Sequence, residues 1–260
     1  MPRGLNPTEV SSKVKIVKTA KGKTLISFPS YNLKVSQLHL QPIRVTFKML
    51  APIAVTDYIH FDSLVWHAAL QDQLGPAFWN QTGREHYNIK LPLKEETQTL
   101  KLERIVLRKK YYAASVGLYT DGYIEDVQSW RKRCDFPDGV GKIDIRRGHF
   151  KAYDMPLTVI YAPTVTFHAV GNAAEILRLL TTHLTHIGKK RVQGYGRIGE
   201  ITVEPTKEDR SILWNGALQR PIPVAACPYK FKDPITTYYA WRPPYWRISS
   251  LTECYMPGSR

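Results

Sequence analysis

The chain has 260 residues, with 37 Lys and Arg against 22 Asp and Glu, a formal net charge of +15 with histidine neutral. At 43% hydrophobic and 11% aromatic residues it can bury a core, which excludes a mostly disordered protein, and its length suits one large domain or two small ones. No run reaches the roughly 18 consecutive apolar residues of a membrane span, and the opening Met-Pro-Arg-Gly-Leu-Asn-Pro has no apolar signal block, so a cytoplasmic protein without membrane contact is expected. Cys134, Cys227 and Cys254 lie far apart with no C-x-x-C pair, which predicts reduced thiols and neither a disulfide framework nor a cysteine zinc site.

Residues 1–36 carry Lys13, Lys15, Lys18, Lys21 and Lys23 among scattered apolar positions and read as a basic N-terminal extension, flexible or ordered on a partner. The remainder, 37–260, reads as the folded domain. Ile43, Val45, Phe47 and Met49 alternate with Arg44, Thr46 and Lys48, a strand with one apolar and one basic face. From Asp62 to Leu74, Leu64, Val65, Ala68 and Ala69 recur at helical spacing before Gly75-Pro76. Leu102–Arg108 and Ala113–Tyr119 read as antiparallel neighbours around Lys109-Lys110-Tyr111-Tyr112. The pattern then dissolves between Thr120 and Lys151, a long insertion expected to be a functional loop or hairpin.

A β-rich stretch from Leu157 to Val170, broken at Pro163, follows. Asn172 with Glu175 forms a capping box for a helix whose stripe is Ile176, Leu177, Leu180, Leu184 and Ile187, ending at Gly188. Arg197–Glu204 alternates again as a strand. Two strand–helix–strand halves predict an α+β fold, a ferredoxin-like β-α-β-β-α-β sheet with a long insertion at about 120–151 and an irregular Pro- and aromatic-rich C-terminal tail at about 205–260.

The positive charge is clustered: Arg131-Lys132-Arg133, Arg146-Arg147 with Lys151, Lys189-Lys190-Arg191 with Arg197, and Arg242 with Arg247. Interleaved with Tyr, Trp and Gly, these runs suit a phosphate backbone and unpaired bases, so nucleic acid is the expected partner. Gly188-Lys189-Lys190-Arg191-Val192-Gln193-Gly194-Tyr195-Gly196-Arg197-Ile198-Gly199 lies between the predicted helix and strand. Glycines at 194 and 196 permit positive φ, which lets N–H groups converge on phosphate while the cations supply countercharge. The spacing is neither a P-loop nor a dinucleotide fingerprint, because the loop follows a helix and precedes a strand. A basic turn ending the helix without any ligand is the plain alternative.

This glycine-rich basic loop resembles the signature of the RAMP superfamily, the RNA-binding subunits of CRISPR–Cas effector complexes. Asp62-Ser63-Leu64-Val65-Trp66-His67-Ala68-Ala69, following Ala51-Pro52-Ile53, is similar to the first helix of the type IV RAMP subunit that caps the 5′ handle of the CRISPR RNA (crRNA). Residues 144–157 and Trp241-Arg242-Pro243-Pro244-Tyr245-Trp246 are similar to the same family, and together the matches span about residues 43–250. The resemblance implies an RRM/RAMP-type ferredoxin-like fold with a thumb-like insertion, no catalytic activity and no cofactor. It also implies a place at one end of a ribonucleoprotein filament. The implied partners are crRNA, the backbone RAMP subunits, the large subunit and, near the protospacer-adjacent motif, target double-stranded DNA.

On this reading Lys189, Lys190, Arg191 and Arg197 hold handle phosphates, with Gln193, Gly194 and Gly196 in the same loop, and Tyr195 stacks on a base or packs the loop. Arg146, Arg147, His149 and Lys151 end the insertion, where a thumb-like hairpin crosses the RNA. Arg131, Lys132 and Arg133 form a further nucleic-acid contact with guide or target duplex, or a merely exposed loop. Trp241, Tyr245 and Trp246 are expected to be core or subunit-interface anchors. No metal or catalytic residue is assigned. One rival is a metal-independent endonuclease of precursor crRNA using His60 or His67 as base; Asp57, His60 and Asp62 are too generic to assign to a metal. Another is a general RNA-binding protein outside CRISPR, disfavoured because the outward side of the first strand, Arg44, Thr46 and Lys48, lacks the aromatics of an RRM.

Overall fold

The structure, a computed structural model, describes residues 15–18, 24–27, 40–74, 107–108, 111–132, 146, 152–243, 245 and 248–260. The chain divides into two units, Met1–Leu38 and His39–Arg260. In the first, β1 (Lys15–Lys18) pairs antiparallel with β2 (Thr24–Ser27), Lys15 opposite Ser27. The sequence reading expected no element there; the short runs Ile16-Val17 and Leu25-Ile26 carry the β-prone residues that form one.

In the second unit, β3 (Gln41–Met49) alternates as its sequence requires: Ile43, Val45 and Phe47 are buried, whereas Arg44 and Lys48 are exposed. After β4 (Ile53–Val55), α1 (Phe61–Leu74) buries Val65, Ala68 and Ala69. The next expectation needs correction. β5 (Leu107–Arg108) pairs with β6 (Tyr111–Tyr112), and of the predicted strand Ala113–Tyr119 only β7 (Leu118–Tyr119) forms, pairing elsewhere. The segment before β7 meets β10 only at an isolated bridge, Ala114 opposite Ala169, because the Val116 and Gly117 amides donate instead to the Gln219 and Ile59 carbonyls at 2.9 and 2.8 Å. Residues 102–106 lie outside the described residues.

The insertion begins with a long strand. β8 (Ile124–Lys132) pairs antiparallel along its full length with β9 (Tyr153–Tyr161), so 124–132 is a strand where the sequence pattern dissolves. Pro163 separates β9 from β10 (Thr164–Gly171), and the two strands enter different sheets. Then α2 (Ala173–His183) starts on the predicted cap, with Asn172 Oδ1 accepting from the Glu175 amide at 2.9 Å. It ends at His183 rather than Gly188. The Thr181 and Thr182 hydroxyls bond back to the Leu177 and Arg178 carbonyls, both at 2.7 Å, and Leu184 is extended at φ −119°. Leu184 and Ile187 are still buried, delivered by extended chain instead of a helix.

β11 (Ile198–Pro205) completes a four-stranded antiparallel sheet of order β11-β3-β10-β7. Phe47 and Phe167 meet on its covered face with ring centroids 5.3 Å apart, under α1 and α2. Arg178 of α2 clamps Asp72 of α1 with two bonds of 2.8 and 3.1 Å, and His183 adds a third contact at 2.9 Å. A second sheet has the order β4-β9-β8. The tail contains β12 (Leu213–Trp214) paired with β13 (Ala217–Leu218), and a sheet in which β16 (Leu251–Tyr255) lies between β14 (Ile222–Pro223) and β15 (Thr236–Ala240). It is therefore less irregular than its prolines suggest, and it packs Ile212, Leu218 and Ile222 on Tyr111 in a separate core cluster. The fold mixes α and β, with two α-helices and only antiparallel pairings among the described residues.

Candidate nucleic-acid interface

The glycine loop is fastened to the strand β4 side of the domain by its own backbone. The Lys189 amide donates to the Ala54 carbonyl and the Gly196 amide to the Pro52 carbonyl, each at 2.7 Å, while the Ile187 amide donates to the Gly196 carbonyl at 2.9 Å. Between these anchors Arg191–Gln193 forms a 3₁₀ turn flanked by Lys190 at φ 58° and Gly194 at φ 90°. Gly196, at φ 67°, is required by close approach, because a Cβ there would overlap the Ile187 carbonyl. The Gly194 amide donates to Arg191 O at 2.9 Å. The Gly194 amide is thus bonded within the loop and the Gly196 amide to Pro52 outside it, so these two N–H groups do not face outward, whereas the cations of the loop do. Lys189, Arg191, Gln193 and Arg197 are exposed, as is Val192 at 96% on the apex.

The loop sits against the β8–β9 hairpin. Tyr195 donates its hydroxyl to Gln128 Oε1 at 2.7 Å, and Gln128 Nε2 donates to Tyr161 Oη at 2.8 Å. Lys190 Nζ stands 3.9 Å above the Trp130 ring, and Trp130 and Tyr195 pack together on Ala54, Leu157 and Val159. Of the two roles open for Tyr195, this geometry is loop packing. Farther along, Arg131 Nε donates to Asp154 at 2.7 Å with both side chains exposed, and Lys132 is partly buried. Arg146 is exposed in a turn. Arg133, Arg147, His149, Lys151 and Trp246 lie outside the described residues.

A groove of about 860 Å³ runs from the loop along the edge strand β11, lined among others by Thr181, Thr185, His186, Arg191, Arg197 and Glu200. Sequence reasoning missed Thr181, Thr185 and His186. The signal was the run Thr-Thr-His-Leu-Thr-His at 181–186, hydroxyl and imidazole donors immediately before a basic loop.

The candidate histidines are held elsewhere. His60 is 6% exposed, its Nε2 is 2.9 Å from Tyr239 Oη, and its ring stacks on Tyr245 at 3.7 Å. Burial, with the Arg220 charge beside it, pushes its pKa down to about 3, so the ring is neutral near pH 7. Asp62 accepts from Tyr245 Oη at 2.9 and 3.0 Å and from Arg220 Nη2 at 3.3 Å. Tyr245 is therefore an internal anchor, and Trp241 joins the tail's apolar cluster. His67 Nε2 lies 2.8 Å from Gln71 Nε2, and burial lowers its pKa. Among the described residues, no group of three or more His, Cys, Asp or Glu is gathered closely enough for a metal ion, and no helix is long and apolar enough to cross a membrane.

The family model of the CRISPR type IV associated protein Csf3 matches residues 41–257, a span that includes the glycine loop, the hairpin and the tail. No curated protein matches the chain. With the match covering most of its length, the chain belongs to the Csf3 family and is a subunit of a type IV CRISPR complex.

Proposed function

We propose that this subunit binds crRNA without cutting it, as a RAMP-type protein that grips the 5′ handle on the surface shared by the glycine loop and the β8–β9 hairpin. The observation that carries the reading is the junction at Tyr195 and Gln128, which joins the two basic segments into one surface. Lys189, Arg191 and Arg197 stand on that surface as exposed cations, and a polyanion is what such a cluster attracts. The groove beside β11 shares Arg191 and Arg197 with this surface and adds the His186 ring.

A ferredoxin-like ancestry is supported by connectivity. Taken in chain order, β3, α1, β7, β10, α2 and β11 follow β-α-β-β-α-β, and the sheet order β11-β3-β10-β7 is the fourth, first, third and second strand of that unit. Against ribonuclease chemistry stand a His60 ring that is buried from any substrate and, with its pKa pushed down to about 3, a weak base, and a His67 engaged with Gln71. Membership in a type IV CRISPR family turns aside the reading of a general RNA-binding protein. The backbone RAMP subunits and the large subunit are the protein partners on this view, and Arg131, Lys132 and Arg133 meet guide or target duplex.

The test is co-expression with a repeat-containing RNA, followed by purification at rising salt. Retained short RNA that is lost steeply with salt supports the reading; no RNA, or salt-insensitive binding, sinks it.

A further inference from the structure

β8 is the outer strand of the sheet β4-β9-β8, so one side of its backbone has no ladder partner among the described residues. Proteins ordinarily blunt such an edge with a bulge, a proline, a charge or a short strand. The edge strand β11 has these devices: its register shifts between Ile198 and Glu200, Glu200 and Glu204 are exposed, and Pro205 ends it. β8 is nine residues long and pairs from Ile124↔Tyr161 to Lys132↔Tyr153 with no shift and no proline, and the charges it does carry are acidic at one end and basic at the other, so they do not repel an antiparallel copy of the same strand. Ile124 and Val127 remain 64% and 62% exposed, beside Tyr123 at 45%.

The charge along this strand identifies its occupant. Glu125 and Asp126 begin it, Arg131 and Lys132 end it, and Gln128 is its midpoint. A phosphate chain is repelled by the first half. A second β8 is not. Antiparallel addition of two copies with all nine residues overlapped centres on Gln128 and sets Glu125 opposite Arg131 of the partner subunit. Both occupy odd positions, so they share a face. Arg131 then lies between Asp154 on its own hairpin and Glu125 of the partner subunit, and a guanidinium has donors for both.

We propose that two copies of this chain associate through β8, forming a two-fold dimer in which two three-stranded sheets become one continuous sheet. The contact is narrow, so the dimer is weak and concentration-dependent, and salt weakens it further. It does not require bound RNA, and because Arg131 is also placed on guide or target duplex above, nucleic acid at that residue competes with it.

The experiment is sedimentation of the nuclease-treated full chain over a range of concentrations. A shift toward twice the monomer mass is expected. Glu125→Arg and Arg131→Glu each place like charges opposite one another and weaken the dimer about tenfold, whereas an equimolar mixture of the two variants pairs again because each reversal meets its complement. Val127→Lys, at an exposed position, blunts the edge and leaves a monomer whose circular dichroism spectrum matches wild type, a control independent of any misfolding at Arg131. A wild type that stays monomeric throughout overturns the proposal. So does a dimer abolished by nuclease, one unaffected by Val127→Lys, or a mixture that fails to reassociate.

Discussion

The Tyr195 hydroxyl reaches Gln128 Oε1 at 2.7 Å although the two residues are 67 positions apart. This bond, with Lys190 over Trp130, makes the glycine loop and the hairpin a single body. Tyr195→Phe keeps the ring and removes the donor, and should cost about 0.5–1.5 kcal/mol of stability. Combining it with Gln128→Leu should cost less than the sum of the two single changes, because both remove one interaction. Additive losses in thermal melts would show that the bond contributes nothing.

Replacing Lys189, Lys190 and Arg191 together by Ala should cost about 1–2 kcal/mol, because Lys189 and Arg191 are solvated and add little whereas Lys190 gives up its place over Trp130. RNA affinity should fall, and the slope of log affinity against log salt should become shallower by about 2, near 0.7 per cation on a single strand. An unchanged slope in filter binding would remove these residues from the interface.

The glycines of the loop should not be equivalent. At Gly194 a Cβ meets nothing within 4 Å, so Gly194→Ala pays only for φ 90°, about 1 kcal/mol. A Cβ on Gly196 collides with the Ile187 carbonyl, and one on Gly188 comes within 2.5 Å of the Ala54 carbonyl. Gly196→Ala and Gly188→Ala should therefore melt well below Gly194→Ala; equal melting temperatures would contradict the anchoring described above.

Arg220 and Asp62 are each 1% exposed, and the guanidinium also donates to the Trp241 carbonyl at 2.8 Å and the Ala114 carbonyl at 3.2 Å. Burial pushes the Asp62 carboxyl up, and Arg220 and Tyr245 act against it. Arg220→Ala strands a buried carboxylate and several carbonyls, and should cost about 3–5 kcal/mol in urea unfolding. A loss below about 1 kcal/mol would mean that the tail is held by its apolar cluster alone.

Acid should weaken the fold before its carboxylates titrate. The His60 pKa is lowered from 6.5 to about 3 by burial and by Arg220, so below pH 6.5 the unfolded chain takes up a proton that the native state refuses. Stability present above pH 6.5 is then lost as pH falls toward 3, by up to about 1.4 kcal/mol per pH unit. His67 and His168 are shifted in the same direction, mainly by burial. His60→Phe keeps a ring on Tyr245 and should flatten the pH 5–6.5 slope of melting temperature; an unchanged slope would assign the effect to the other two.

Periodicity and local capping made several elements readable from residue order: the alternation of β3, the Asn172 cap of α2, and the positive-φ glycines of the loop. Those features depend on neighbours a few residues apart, where side-chain spacing alone decides which face is apolar. Ile-Glu-Asp-Val-Gln-Ser-Trp-Arg-Lys has no such pattern, because β8 is an outer strand whose conformation is imposed by β9 across the hairpin.

Arg220 gave even less warning. A lone arginine among prolines reads as surface, yet it is buried because Asp62, 158 positions earlier, and Tyr245 lie around it. The chemistry of the loop was likewise open to local reading only in part: residue types fixed its charge and its turn. Whether its amides or its cations face outward, and whether Tyr195 stands free or packs on Gln128, followed from which distant carbonyls and side chains the folded chain brought within hydrogen-bond range. Contacts of that kind have no period along a sequence, since the energy that selects them comes from burial and pairing between segments that meet only after collapse.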